Sequence, residues 1–502
     1  MTMETRSARR RRLSNPNPNP NPDLHYQTGV DYISHLPDAL LHHILSSLPI
    51  KTAAQSAILS SRWRSLWFTL PDLDFSTSSI SNHYPSDLII TRILNSRPHH
   101  SNVRLLRFSA TLSFSRLNSL FRTAIRHQIQ QLHLLVTTND YFNFPRCVIA
   151  SDSLRVFNLQ SMHPGFRLPP PSVMGAGFRS LNSLSLARMV FHDRPSLLDL
   201  FTEKSFPVLK KLNLEKCFGL EYLGVKCPVL EDFSLQSCFQ LQGLDVFGAK
   251  LQSIQVSNCF DAYTTPTWVK IVAPNLNTLI WAYNALNDEI NIHLFTSRLN
   301  QASLGLLPHH FVTSKLHSVS ALLFAISPAL SLTLDSFCID IVSSPNYFAY
   351  YFPSFNNVNC LELKTAFRKH NGAGLANIFR SCPVLHTLII KIVDGGNIGR
   401  KDWRRDKWER TASEEEQFWE TQIEALKSFL LHLKIVKIEG FMDCLSEVSL
   451  TQFLLKHGSA LQRLTLLTTK TKHRDSLIRR REIKSQIMAF PRASSLVKVQ
   501  YC

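Results

Sequence analysis

The chain has 502 residues, of which 44% are hydrophobic and 10% aromatic; that is enough apolar material for a large core and excludes a globally disordered protein. At roughly 100–200 residues per domain, the length gives about three domains or one long repetitive one. Lys and Arg outnumber Asp and Glu by 55 to 37, a net charge of +18, which attracts acidic partners or nucleic acid and says nothing of fold.

Residues 1–30 read as a disordered lead. Arg6 and Arg9 to Arg12 form a basic cluster, and Asn alternates with Pro from Asn15 to Pro22. Proline at every second position removes backbone donors that helices and ladders need. The Arg run fits a nuclear localisation signal or a solvated basic tail. The expected location is the nucleus, the cytoplasm or both.

Residues 31–75 change character. DYISHLPDALLHHILSSLPIKTAAQSAILSSRWRSLW, residues 31–67, is apolar and helical in period. Leu36-Pro37 suits a helix start, with Asp38 favoured by the helix dipole. Leu40, Leu41, Ile44, Leu45 and Leu48 recur at helical spacing, and Pro49 ends that helix. Thr52 and Gln55 fit the capping box of a second helix. Trp63, Leu66 and Trp67 close the segment. A unit this short cannot bury so much Leu, Ile and Trp by itself. A partner, or the rest of the chain, must cover it.

The segment resembles a plant F-box, whose pattern runs D-x-I-S-x-L-P-D-x-L-L-x-x-I-L-S-x-L-P and then L-S-x-R-W-R-x-L-W. Asp31, Ile33, Ser34, Leu36 to Asp38, Leu40, Leu41, Ile44 to Ser46, Leu48, Pro49, Leu59, Ser60, Arg62 to Arg64, Leu66 and Trp67 match it. Ile50 stands where Thr is common and Ser61 where Lys is common, and neither removes an apolar anchor. The resemblance implies docking onto the Skp-type adaptor, and through it cullin, of a Skp–cullin–F-box ubiquitin ligase. The docking residues it implies are Leu36, Pro37, Leu40, Ile44, Leu45, Leu48, Pro49, Leu59, Trp63 and Trp67.

Residues 76–393 read as a repeat array. The pattern apolar-x-x-apolar-x-apolar begins at Val103, Ile129, Leu154, Leu181, Leu209, Leu230, Leu251, Leu276, Leu299, Ala329, Val358 and Leu385, and recurs further on at Leu433 and Leu461. Successive starts lie 21–30 residues apart, except for one gap of 48. Most spacings match leucine-rich repeats of 20–29 residues. Each unit supplies a short strand whose apolar side chains share a core with the neighbouring units, giving a solenoid with a concave parallel sheet. Cys217, Cys238 and Cys259 occupy the repeat's Asn/Cys position. They fit a stacked row of small buried residues better than a metal or redox site. Alternate strand residues face outward: Lys211, Asn213 and Glu215, then Asp232, Ser234 and Gln236, then Ser253, Gln255 and Ser257. This polar row fits a substrate-reading face or a plain solvated one. Cycles of 21 residues leave little room for a long convex helix, so turns, short strands or one-turn helices are expected there.

Residues 394–421 form a charged insertion in which Arg400, Lys401, Arg404, Arg405, Lys407 and Arg410 alternate with Trp403, Trp408 and Trp419. The mixture suits single-stranded nucleic acid or, more simply, an exposed loop leading into a helix from about Glu414 to Leu431. In residues 422–502, LHLKIVKIEGF (431–441), Glu447, FLLKHGSALQRLTL (453–466) and FPRASSLVKVQY (490–501) resemble the FBD module found at the end of many plant F-box/leucine-rich-repeat proteins. Met442-Asp443-Cys444 replaces the usual small residue after Gly-Phe. The module reads as strand, helix, strand, a terminal cap for the solenoid, with Lys470 to Lys484 as a solvated basic loop.

The whole is thus expected to be an α/β protein with a helical F-box, a solenoid and an FBD-like cap. No phosphate-binding, dinucleotide-binding, nucleophile-elbow or metalloprotease motif occurs, and the ten cysteines include no C-x-x-C pair. The missing motifs point to a binding protein without cofactor or metal, and the resemblance implies a non-catalytic receptor that binds a protein target for ubiquitination; no membrane span is expected. The rival is a basic scaffold that binds nucleic acid or acidic proteins without ligase output.

Overall fold

A computed structural model describes residues 33, 35–76, 87–98, 101–137, 142–143, 146–161, 166–167, 177–190, 197–264, 266–294, 299–307, 315–344, 352–366, 371–392, 412–442, 444–468 and 474–502. The basic lead, the Asn-Pro tract and the Arg- and Trp-rich part of the insertion lie outside them.

Three helices open the fold: α1 (Asp38–Ser46), α2 (Ile50–Ser56) and α3 (Ser61–Thr69). Pro37 and Pro49 sit at the N-cap positions of α1 and α2 without a side-chain cap, so the capping box expected from Thr52 and Gln55 does not form. Helix α2 already starts at Ile50, which places Thr52 inside it. Ser60 caps α3 by accepting from the Trp63 amide at 3.2 Å.

The N-terminal part of the solenoid comprises β1 (Asp72–Asp74), α4 (Asp87–Asn95), β2 (Leu105–Thr111), α5 (Phe114–Arg126), β3 (Gln131–Thr137), β4 (Phe142–Asn143), α6 (Arg146–Ile149), β5 (Val156–Ser161), β6 (Phe166–Arg167) and β7 (Ser183–Ala187). The middle alternates strand with strand: β8 (Leu197–Thr202), β9 (Lys211–Glu215), β10 (Tyr222–Lys226), β11 (Asp232–Gln236), β12 (Gly243–Phe247), β13 (Ser253–Ser257), β14 (Trp268–Val272), β15 (Thr278–Asn284) and β16 (Glu289–His293). After β17 (Leu299–Leu306), helices return: α7 (Leu316–Ile326), β18 (Ala329–Leu334), α8 (Ser336–Ser343), β19 (Cys360–Thr365), α9 (Asn371–Ser381) and β20 (Thr387–Ile392). The C-terminal part holds α10 (Ala412–Thr421), α11 (Ile423–His432), β21 (Ile435–Phe441), α12 (Leu445–His457), β22 (Arg463–Thr468), α13 (Arg474–Ala489) and β23 (Lys498–Tyr501).

One sheet of sixteen strands runs the length of the solenoid in the order β1-β2-β3-β5-β7-β9-β11-β13-β15-β17-β18-β19-β20-β21-β22-β23. Neighbouring strands pair in parallel, as a solenoid with one strand per turn requires. All the expected first positions, from Val103 to Leu461, are no more than 1% exposed. Each leads into one strand of this sheet.

Two kinds of cover line the convex side. Between Leu181 and Leu299, where the turns run from 21 to 28 residues, each turn carries a second short strand, and there β8, β10, β12, β14 and β16 form a five-stranded parallel sheet. Elsewhere a helix takes that side, such as the thirteen residues of α5. Gly224 in β10 allows β8 to approach closely, because a Cβ there would collide with the Leu198 carbonyl.

The Asn/Cys position builds a ladder. The Cys217, Cys238 and Cys259 thiols face the carbonyls of Leu186, Leu214 and Leu235 in the preceding turns, at 3.8, 3.6 and 3.4 Å. Asn284 continues it by donating to Val256 O at 2.9 Å. Just before these rungs the backbone is left-handed at Arg188, Lys216, Ser237, Asn258 and Tyr283, with φ between 52° and 57°. The cysteine row is thus structural.

Three expectations change. Arg474 to Ala489 is helical, although Lys470 to Lys484 reads as a loop; Ile487 is fully buried and gives the helix one anchored face. The expected single helix from Glu414 is two, broken at Gln422, and Trp419 is buried between Phe379 and Phe453 with ring centroids 6.3 and 5.5 Å away. It is a core residue and offers no stacking surface. Finally, β21, β22 and β23 continue the long sheet in parallel, so the C-terminal module closes the solenoid by adding strands to it.

Candidate docking and recognition faces

Helix α1 is apolar on two adjacent stripes. Leu41 and Leu45, four residues apart, are buried, whereas Leu40 and Ile44, also four apart, are exposed, and Leu48 extends the open stripe beyond the helix. Helix α2 anchors through Ile50 and Ala53, and α3 through Leu66 and Trp67. The turn between them leaves Ile58 81% and Leu59 71% exposed. Burying one such side chain is worth about 1.5–3 kcal/mol, so a surface of this kind favours a covering partner.

Of the sequence-derived docking residues, Pro37, Leu40, Ile44, Leu48, Pro49 and Leu59 are open, and Leu36 and Trp63 are half-buried against the core. Leu45 and Trp67 require correction. Both belong to the chain's own core, at 1% and 6% exposure, and brace the open stripe from behind. Ile33 and Ile58 are open and absent from the sequence-derived set. The Leu36-Pro37 elbow is fastened by Arg62, which donates to Leu36 O at 2.6 Å and to Asp38 Oδ1 at 2.6 and 3.0 Å.

The helical segment joins the sheet without a linker. Only Leu70 and Pro71 separate α3 from β1. Arg97, 5% exposed, donates to Leu70 O at 2.7 Å and to Ser101 Oγ at 3.2 Å. Burial pushes its guanidinium down to about 10, still charged at neutral pH. Pro71 O accepts from the amides of Arg104 and Leu105 at 2.8 and 3.2 Å. The open helical stripe is therefore held to the first strand of the solenoid.

On the concave sheet the nine expected outward residues form a three-by-three grid. Lys211, Asp232 and Ser253 lie in one register row, Asn213, Ser234 and Gln255 in the next, and Glu215, Gln236 and Ser257 in the third. Much of their bonding is internal. Lys211 pairs with Asp232 at 2.9 Å, Glu215 with Lys216 at 2.9 Å, and Gln236 donates to Ser234 at 2.9 Å. Asn213 donates to Ser185 at 3.0 Å, while its own Oδ1 is shielded and accepts nothing. The grid is polar, almost neutral and half-buried.

Among the described residues no three His, Cys, Asp or Glu side chains come together as a metal site, and no helix is long and apolar enough to cross a membrane. Burial pushes the Cys227 and Cys382 thiols up to about 12, away from thiolate chemistry.

The chain matches the model of the At1g61320/AtMIF1 LRR domain over residues 99–262 and 219–498, and that of the F-box domain over residues 33–74. It is 43% identical to the Arabidopsis thaliana F-box/FBD/LRR-repeat protein At4g03220 across 99% of this chain and 100% of that one. The F-box/LRR-repeat protein At5g02910 of the same plant is 24% identical over 74% of each chain. A shorter likeness, 46% over 70 residues, links it to the FBD-associated F-box protein At5g18780 of that species, covering 14% of this chain and 16% of that one.

Proposed function

Because this chain belongs to the F-box/leucine-rich-repeat family, we propose that it is the substrate-recognition subunit of a Skp–cullin–F-box ubiquitin ligase. The observation that carries this reading is the row of open apolar side chains on a segment otherwise packed into the protein: Leu40, Ile44, Leu48, Ile58 and Leu59. These dock on the adaptor, with Pro37 and Pro49 at the helix entries and Leu36 and Trp63 at the margin. Leu45 and Trp67 hold the stripe in shape. The concave sheet holds a protein target. Fixing a target lysine near the ubiquitin thioester raises their effective concentration, so this chain supplies position and no reacting group. Work in the nucleus, the cytoplasm or both is part of the proposal.

The test is capture of the full-length chain by a purified Skp-type adaptor at low and high salt, wild type beside Leu59→Asp. Salt-resistant capture lost in the variant supports the reading, since an apolar interface does not tolerate an unpaired carboxylate. Failure of the wild-type chain to bind the adaptor overturns it.

A further inference from the structure

The concave sheet neutralises its cations in one part and not in another. At its start Arg104 pairs with Asp72, and Arg107 with Asp74 at 2.9 Å. In the middle Lys211 faces Asp232 across the strand boundary. From β19 to β23 the pattern changes. Lys364, Lys391, Lys437, Arg463 and Lys498 alternate with buried residues and so face outward, against only Glu362 and Glu439. Those two carboxylates are taken by Lys391 and Lys437, at 2.8 and 2.6 Å.

The register then sets like charges side by side. Lys364 lies directly opposite Lys391, and Arg463 directly opposite Lys498. Neighbouring strands are about 4.8 Å apart, and like charges directly opposite one another destabilise a sheet. Arg463 and Lys498 are exposed and have no ion-pair partner among the described residues. A fold that pairs its concave cations elsewhere leaves these two repelling each other. A bound anion relieves that repulsion.

We propose that this end of the concave sheet is the receptor for an acidic, extended polypeptide segment. The inference rests on the substrate-receptor reading above and gives the target its chemistry. The cations are interleaved with Ile389, Ile435 and Leu467, and no outward position of β19 to β23 carries an aromatic ring. Single-stranded nucleic acid needs rings on which bases stack. Carboxylates alternating with aliphatic side chains match what is here.

The experiment titrates the full chain, in complex with its adaptor, with a fluorescent peptide of alternating Glu and Val. A Gln-Val peptide and a single-stranded oligonucleotide serve as controls. The Glu peptide is expected to bind about tenfold or more tighter than the Gln peptide and to weaken as salt rises from about 50 to about 500 mM. Arg463→Glu with Lys498→Glu should lower its affinity at least about tenfold, whereas Lys270→Glu, on the convex five-stranded sheet, should change it less than about twofold. Adaptor capture and thermal melting are read on the same variants, which separates loss of this face from loss of docking or fold. Equal affinity for the two peptides, no binding of either, an unaffected double variant, or tighter binding of the oligonucleotide than of the Glu peptide would each overturn the proposal.

Discussion

In the solenoid, the repeating apolar positions from Val103 to Leu461 are shut away from water, whereas in the helical segment Ile58 and Leu59 stand open beside the buried Leu45 and Trp67. The same residue types meet opposite fates because the solenoid has neighbours on both sides of each turn and the helices have a neighbour on one side only. Burial in a repeat array is supplied by the next repeat. The second stripe of α1 has no such cover among the described residues. The contrast teaches that an apolar pattern identifies the element, and that only the packing shows which stripe is for the chain itself.

Leu45→Asp probes the boundary most severely. It puts an unpaired carboxylate into the core, so the helical segment itself should unfold; the milder Leu45→Ala should cost about 2–5 kcal/mol by denaturant titration. Ile58→Asp combined with Leu59→Asp should leave that titration unchanged and lower adaptor affinity at least about thirtyfold by surface plasmon resonance. If the two sets of variants behave alike, the division between bracing and docking residues fails. Arg97→Met orphans the Leu70 carbonyl at the junction and should cost about 1–3 kcal/mol. Hydrogen exchange should rise in α3 and β1 and stay level in β11 and β13.

The smallest effects are on the solenoid side. Ser237→Gly relieves a left-handed residue at φ 53° and should stabilise by up to about 1 kcal/mol, whereas Ser237→Val should destabilise by about 1–2 kcal/mol, both read from melting temperature. His133 offers a pH test. Burial, with Arg107 nearby, lowers its imidazole below the ordinary range, and its Nδ1 lies 2.7 Å from Asn158 Nδ2. The unfolded chain then binds the proton more readily, so stability should fall as pH drops through the ordinary imidazole pKa. The fall should be weaker in His133→Gln.

Much of this was legible in the sequence for a physical reason: a strand with an apolar residue at every second place leaves a periodic mark, and fourteen of the sixteen long-sheet strands follow an expected first position. Strand β1 was not visible, because Asp-Leu-Asp offers a single buried side chain. The helix at Arg474–Ala489 was hidden by its charge. Trp419 looked like a ligand-facing ring because it follows a basic run, yet Phe379, Phe418 and Phe453 surround it. In the helical segment the motif marked the helices but could not sort Leu45 from Ile44. The two are adjacent, both apolar, and differ only in which way about 100° of helical turn carries them. The cationic end of the sheet was equally hidden, since Lys364 and Lys498 are neighbours only through the intervening strands.

The direct junction of α3 to β1 turns the long sheet into a ruler. Sixteen strands at about 4.8 Å apiece give an arc of roughly 70 Å from the first to the last. With no slack between helices and sheet, each strand stands at its own fixed distance from the open stripe of α1. On the proposed reading, a target seated near β2 and one seated near β22 would present different lysines to the same stationary source of ubiquitin, and the choice of strand would decide which of them is marked.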